Sequence, residues 1–214
     1  MRKNRAMTHA IAMLALDGLV GFDLGAPPQV FGAARAEDDT PFYTVTTCGV
    51  GGRPVRPERG GFLVTPDHDL GPLATADTVL VPGVSGGSTM IDGKVRPEVT
   101  DALQAAHKRG ARIISICTGA SVLAAAGLLD GRVAASHWAW AKRLRRLYPQ
   151  VEWDFEVLFV DGGDVPGGVQ AANGHPIIVR SAARTDEWPG GHDAQESGHD
   201  PYDRDAGARR RGRF

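Results

Sequence analysis

Short apolar runs alternate with segments of helical spacing along most of this chain. Three runs, at residues 11–16, 78–81 and 112–117, are nearly uninterrupted by polar side chains. Such runs are typical of strands in a parallel sheet whose two faces are both covered. Residues 42–48 instead alternate and are rich in β-branched side chains, which also favours a strand. The pattern predicts four strands, and we expect the strand at 11–16 to be central.

Helices are predicted between and after these strands. Residues 95–109 have helical spacing and are followed by a glycine, a common helix stop. Residues 23–31 form a loop that enters a helix, with Val30, Phe31 and Ala34 expected on one face. Two further helices are predicted at 118–127 and 138–148. Two further strands are predicted at 133–135 and 158–160, and the second of these is expected to be the last strand. Residues 49–69 are predicted to form a hairpin or an irregular excursion. This alternation implies an α/β fold with a doubly wound parallel sheet and helices on both faces.

The character of the sequence changes after Asp164. Glycine, proline, aspartate, arginine and histidine crowd the remainder, whose only apolar run is 177–179. We expect residues 181–214 to be largely disordered, and we interpret the basic end of the chain as a solvated tail because many aspartates precede it. The predicted organisation is one domain at 8–165, followed by an atypical segment at 166–214.

Composition fits one soluble globular domain. Of 214 residues, 42% are hydrophobic and 23% are charged, and the formal net charge is -1. This balance gives no reason to expect nucleic acid or a membrane as partner, and no apolar run approaches the roughly 20 residues that span a bilayer. Asp17 and Asp23 interrupt the apolar start, which argues against a signal peptide. With only Cys48 and Cys117 present, no disulfide is needed, and a cytoplasmic location is expected.

The strand that ends at Cys117 carries the strongest chemical signal. In a doubly wound sheet, ligands bind outside the carboxyl ends of the strands, so the loops that start at Gly18, Pro82 and Cys117 should converge there. Because Cys117 leads directly into a helix, its sulfur should face the positive helix end, which favours thiolate over thiol. The backbone N–H groups of Thr118 and of the Gly83-Val84 loop are candidates to stabilise an oxyanion.

Several linked motifs then give a specific resemblance. The segment ISICTGASVLAAAGLLDGR at 114–132, with SHW at 136–138 and RLYP at 146–149, resembles the ThiJ/PfpI domain at the amino terminus of AraC-type transcriptional regulators. The segment DLGAPPQVF at 23–31 resembles the opening loop of that family, and VPG at 81–83 resembles its middle loop. A run of motifs in the right order is far more specific than an isolated cysteine turn. The resemblance implies a flavodoxin-like fold, related to class I glutamine amidotransferases, that forms a homodimer.

Isonitrile hydratase, an enzyme of the same superfamily, is similar at the same places. That resemblance implies an acid/base carboxylate at Asp23, a nucleophile at Cys117 and a supporting hydroxyl at Thr118. No cofactor is implied. In protease-like and glyoxalase-like members of the superfamily a histidine follows the nucleophile, whereas Thr118 follows it here. A Cys-His dyad of that kind is therefore not expected, and peptide hydrolysis is disfavoured.

Two functions fit this resemblance, and both use the same pocket. The first is a ligand-sensing domain of an AraC-type regulator, which binds a small molecule. The second is an enzyme that adds water to isocyanides through Cys117 and Asp23. The long helix and the two helix-turn-helix units with which such regulators continue are not recognisable after Val165. We therefore expect contact with DNA only through a missing or separate region, and reduced stability or dependence on a partner.

Simpler interpretations stand beside these. Cys48 lies in an alternating strand and is expected to be structural. Asp23 caps the helix that follows it, acts as an acid, or does both, and His137 is expected to pack or cap rather than to catalyse. The loop at 83–88 lacks the ending of a Walker motif, so nucleotide binding is not indicated. No metal site is expected, because the other histidines lack ligand spacing; among them are His107, His175, His192 and His199.

Overall fold

The computed structural model describes residues 8–162 and 169–172. Its strands are β1 (His9–Leu14), β2 (Tyr43–Cys48), β3 (Thr78–Val81), β4 (Arg112–Ile116), β5 (Val133–Ala135), β6 (Glu152–Asp154), β7 (Phe159–Asp161) and β8 (Val169–Ala172). Its α-helices are α1 (Gly21–Ala33), α2 (Ser88–Ile91), α3 (Pro97–Arg109), α4 (Ala120–Ala125) and α5 (Ala141–Leu147). Short 3₁₀ turns occupy Val50–Gly52, Gly71–Ala74, Cys117–Gly119 and Trp138–Trp140. The predicted order of elements is present, with α2, β6 and β8 as unpredicted additions.

Six of the described strands form the main sheet, in the order β2-β1-β3-β4-β8-β7. All neighbouring pairs are parallel except the edge strand β7, which runs antiparallel to β8. β5 and β6 form a separate parallel pair. The predicted α/β fold with a doubly wound parallel sheet is confirmed. Because the chain passes from β1 outward to β2 and then back to β3 on the other side, the strand order reverses between β1 and β3.

β8 corrects the prediction that the strand near residue 160 is the last. Its backbone pairs with β4 on one side and with β7 on the other, so the predicted last strand is displaced to the edge of the sheet. The sequence of β8 is VQAA, which has neither a continuous apolar run nor strong β-branching. Its strand conformation therefore depends on pairing with both neighbours, of which β4 is distant along the chain.

The buried face of α1 differs in part from the predicted one. Phe31 is buried as expected, but Val30 is 49% exposed. The buried residues are Asp23, Leu24, Pro27 and Phe31, which recur at helical spacing. The helix begins at Gly21, before the predicted loop at 23–31. The Asp23 carboxylate therefore lies on the buried face of the helix.

The core lies on both sides of the central strands. Met13 in β1 and Val79 and Val81 in β3 are fully buried, as are Val99 and Leu103 on α3. Such packing makes the carboxyl ends of β1, β3 and β4 a firm platform for the loops that follow them. Cys48 at the end of β2 is also fully buried, which confirms its structural role.

Within the described ranges, no helix is both long enough and apolar enough to cross a membrane. The predicted disordered segment at 181–214 lies outside the described residues, as does most of the predicted segment at 166–214. Those expectations remain predictions.

Candidate functional site

The loops after β1 and β3 meet at the carboxyl edge of the sheet. The N–H of Val20 donates to the C=O of Gly83 at 2.7 Å, and the N–H of Ser85 donates to the C=O of Gly18 at 2.7 Å. Leu19 lies between them in an antiparallel bridge with Val84. The predicted convergence of these two loops is therefore present, and it holds the start of α1 against the loop after β3.

Cys117 occupies a strained turn directly after β4. Its φ is 54°, a left-handed conformation that is uncommon for a residue other than glycine. The Ser136 hydroxyl donates to the Cys117 C=O at 3.0 Å and helps to hold this peptide. Gly119 leaves no room for a side chain, since a Cβ atom there would collide with the carbonyl oxygens of Val81 and Pro82. The turn is thus fixed by close backbone packing against the loop after β3.

The three side chains that the resemblance singles out surround one glycine. A Cβ atom at Gly83 would lie 2.5 Å from Asp23 Oδ2 and 3.2 Å from both Cys117 Cβ and Thr118 Oγ1. Asp23 is only 7% exposed, and its Oδ2 accepts a hydrogen bond from the Gly83 N–H at 3.1 Å. The structure therefore brings Asp23, Cys117 and Thr118 together.

Asp23 does not cap α1. The residue at the N-cap position is Val20, and no side chain caps the helix there, so Asp23 lies inside the first turn. Its carboxylate instead bonds to the loop after β3. The interpretation of Asp23 as a helix cap is wrong because the N-cap position is Val20, three residues earlier.

Thr118 forms two hydrogen bonds with the backbone of Val84, the residue after Gly83. Its hydroxyl accepts from the Val84 N–H at 2.9 Å and donates to the Val84 C=O at 2.6 Å. The N–H groups of Gly83 and Val84, which were predicted as oxyanion donors, therefore both have a side-chain acceptor already. Only displacement of Asp23 and Thr118 would free them for an oxyanion.

The Cys117 thiol is shifted toward its neutral form. Burial raises the pKa of Cys117, and the nearby Asp23 carboxylate raises it further, with a smaller contribution in the same direction from Glu58. The N–H and hydroxyl of Thr118 lower the pKa in part. The predicted preference for thiolate rested on the helix end alone, and burial and the Asp23 carboxylate act in the opposite direction, toward the neutral thiol.

Glu58 is a residue near the site that the sequence did not suggest. It lies in the irregular excursion after β2, where its N–H donates to the Leu19 C=O at 3.0 Å. That bond holds the excursion beside the opening loop, and the charge of Glu58 acts on Cys117. Nothing in the local pattern around residue 58 indicates this placement, because it depends on a contact between segments far apart in sequence.

His137 has a local structural role. Its Nδ1 accepts from the Ala139 N–H at 3.2 Å and so caps the 3₁₀ turn that follows, and its ring stacks on Trp138 with centroids 5.5 Å apart. The prediction that His137 packs or caps is confirmed. Within residues 8–162 and 169–172, no group of three histidine, cysteine or acidic side chains is arranged to hold a metal ion.

Comparison with known proteins places this geometry in a family. The sequence profile of the DJ-1/PfpI family matches residues 9–165. A Streptomyces lividans protein described as an uncharacterized protein in the cpoL 5' region is 36% identical over 141 residues, which cover 66% of this chain and 96% of that protein. The HTH-type transcriptional regulator GbdR of Pseudomonas aeruginosa is 29% identical over 153 residues, or 72% of this chain and 40% of the regulator.

A shorter match and two solved structures complete the comparison. Isonitrile hydratase of Pseudomonas putida is 30% identical over 80 residues, which cover 37% of this chain and 34% of the enzyme. The chain thus spans less than half the length of both GbdR and this enzyme. A putative transcriptional regulator from Vibrio parahaemolyticus superposes with a TM-score of 0.66 at 22% identity, covering 78% of this chain and 84% of the other. DJ-1beta of Drosophila melanogaster superposes with a TM-score of 0.62 at 23% identity, covering 78% and 83%.

Proposed function

Because the chain belongs to the DJ-1/PfpI family, we propose that it acts as a cytoplasmic ligand-sensing domain of the kind found in AraC-type transcriptional regulators. In this proposal Cys117 stands at a nucleophile elbow, a strand-to-helix turn that presents the residue at the sheet edge. The elbow lies at the sheet edge beside the binding region, and the ligand is a small molecule. Contact with DNA would come from a helix-turn-helix region, and the expectation for residues 166–214 remains a prediction.

The observation that carries this proposal is the hydrogen bonding of the Gly83 and Val84 N–H groups, and the direction of the Cys117 pKa agrees with it. A nucleophilic cysteine acts as thiolate, and catalytic cysteines sit in surroundings that lower the pKa. Around Cys117 burial and Asp23 raise the pKa instead. The Gly83 and Val84 N–H groups already donate to Asp23 and Thr118. These two groups therefore do not form a ready oxyanion hole. These features favour a binding pocket over a turnover site.

The extent of the sequence matches supports the same choice. Similarity to the regulator GbdR extends over 153 residues, whereas similarity to isonitrile hydratase extends over 80. The regulator match therefore covers nearly twice as many residues as the match to the enzyme.

One arrangement favours isonitrile hydration as a second candidate. Asp23, Cys117 and Thr118 all lie around Gly83, as the resemblance to isonitrile hydratase implies. In that reaction the Cys117 sulfur adds to the isonitrile carbon while the carbon receives a proton through Asp23. Water then adds to the thioimidate, the carbon–sulfur bond breaks, and an N-substituted formamide leaves with the thiol restored.

Incubation of the purified chain with cyclohexyl isocyanide decides between these functions. We expect negligible N-cyclohexylformamide, at the level of the Cys117→Ser variant. The matched control is Cys48→Ala, which removes the other, fully buried thiol. Formamide production that is lost in Cys117→Ser but kept in Cys48→Ala would overturn the sensing function in favour of the enzyme.

We also propose that the domain forms a homodimer. Support comes from exposed aromatic surface next to the site: Phe22 is 74% exposed, and Phe62, whose ring would lie 3.2 Å from a Cβ atom added at Gly21, is 51% exposed. Large exposed apolar side chains close together mark interaction surfaces. Light scattering at micromolar concentration should give twice the chain mass, and a monomer mass contradicts the proposal.

A further inference from the structure

A second concavity opens beside the cysteine site, and we call it the switch-point cleft. It has a volume of about 380 Å³ and is lined by Leu16 and Asp17 after β1, by Val84 and Ser88 after β3, and by segments around Arg53 and Arg96. Neither Cys117 nor Asp23 lines it. Its size falls in the range of ligand pockets, roughly 300–1,000 Å³.

The position of the cleft in the sheet is the one that doubly wound folds favour for ligands. The strand order reverses between β1 and β3, and the cleft lies outside the carboxyl ends of these two strands. Diverging connections leave a crevice at such a point. Cys117 follows β4, one strand further along, so the cleft and the cysteine site are neighbours rather than the same pocket.

Two arginines belong to the polar lining. Arg53 is exposed, and its guanidinium has no ion pair with any residue of the described ranges. Arg96 uses its Nε in a 2.8 Å ion pair with Glu98, which leaves its other N–H groups as donors. Asp17 also lines the cleft, but its Oδ1 already accepts from the Arg56 N–H at 2.9 Å. The cleft therefore offers cationic fork-shaped donors, which match a carboxylate.

Valines form the apolar part of the wall. Of the five that line it, Val50 and Val95 are half-buried and present surface to the cleft, whereas Val55, Val84 and Val99 are buried behind it. Rigid valine walls next to guanidinium groups suit a ligand that has a compact hydrocarbon body and one anionic end.

We propose that the switch-point cleft binds a small organic carboxylate, with the carboxylate on Arg53 and Arg96 and the hydrocarbon part against the valines. This inference rests on the proposed sensing function and gives the place and the chemical class of the sensed ligand. The shared residue Val84 connects the two sites, because its peptide is bonded to Thr118, the residue after Cys117.

Calorimetric titration of the full chain with hexanoate tests the proposal. We expect saturable binding of hexanoate, and at least about tenfold weaker binding of hexanamide, which keeps the hydrocarbon but not the charge. Acetate, which lacks the hydrocarbon body, should also bind at least about tenfold more weakly. Arg53→Gln should weaken hexanoate binding at least about tenfold, because it removes a charged donor.

Arg59→Gln is the matched control, since Arg59 lies in the same excursion, is 91% exposed and does not line the cleft. Its affinity for hexanoate should equal that of the unmodified chain. Circular dichroism establishes that both variants keep the fold. Absence of hexanoate binding, equal binding of hexanamide, or equal affinity in Arg53→Gln would each overturn the site. Such a failure leaves the sensing function standing, whereas formamide production dependent on Cys117 removes that function whether or not hexanoate binds.

Discussion

The Thr118 hydroxyl satisfies both polar groups of the Val84 peptide, accepting from its N–H at 2.9 Å and donating to its C=O at 2.6 Å. Thr118 is 1% exposed and Val84 is 3% exposed, so water cannot replace either bond. This pair joins the loop after β3 to the turn after β4. It fixes the distance between the cysteine turn and the wall of the switch-point cleft.

Replacement of Thr118 by valine should destabilise the fold by about 2–6 kcal/mol, because two buried backbone groups lose their only side-chain partner at roughly 1–3 kcal/mol each. Thr118→Ser keeps the hydroxyl and loses one methyl group, at a cost of about 1 kcal/mol. Urea unfolding of both variants measures the difference. Equal stability of the valine and serine variants would show that the hydroxyl is not needed.

Gly83→Ala should disrupt the site, because the added Cβ would lie 2.5 Å from Asp23 Oδ2 and 3.2 Å from Cys117 Cβ. Overpacking of this kind costs about 1–3 kcal/mol. On the same loop, Gly87→Ala is the control, since its Cβ would meet only Asp17 O at 3.6 Å, an ordinary contact. Thermal unfolding should show a lower Tm for Gly83→Ala than for Gly87→Ala, and the reverse order contradicts the packing described around Gly83.

Asp23→Asn should lower the pKa of Cys117. The negative charge of Asp23 raises that pKa, so its removal stabilises the thiolate, while the asparagine oxygen can still accept from the Gly83 N–H. The pH dependence of alkylation by iodoacetamide reports the pKa. For comparison, Asp77→Asn alters a carboxylate at the other end of β3, where Asp77 accepts from the Ala10 N–H at 2.8 Å, and should leave the Cys117 titration unchanged. An unchanged or raised pKa in Asp23→Asn contradicts the assigned cause.

Cys48 should make the protein less stable in alkali. Burial raises the pKa of Cys48 from the ordinary thiol value of 9.0 to about 12. Between these values the unfolded chain loses a proton that the folded chain keeps, so the stability present below pH 9 declines as pH rises toward 12. For one group the slope is roughly 1.4 kcal/mol per pH unit.

Urea unfolding at pH 8 and at about pH 10.5 checks this expectation. The loss of stability should be smaller in Cys48→Ala than in the unmodified chain, because alanine cannot ionise. Cys117→Ser provides the comparison for the half-buried thiol. An identical loss in the unmodified chain and in Cys48→Ala would show that Cys48 does not titrate on unfolding.

The site was predictable only in part. Cys117 was identifiable because a buried strand followed by small residues is a local pattern, and Asp23 and Thr118 followed from the resemblance. Glu58 was missed because its position depends on the bond between its N–H and the Leu19 C=O. The switch-point cleft was missed for the same reason, since Arg53 and Arg96 come from different connections and line one cleft only in the folded chain.

By itself, the sequence determined the order of the main elements, since continuous apolar runs specify β1, β3 and β4 and helical spacing specifies α3. Those signals are local, because the polarity of each side chain indicates whether its own position is buried. Only the tertiary structure decided where β8 pairs and how Cys117 is charged. Pairing of a weak strand depends on its neighbours, and the pKa of a thiol depends on the solvent and charges that the fold places around it, here burial and Asp23.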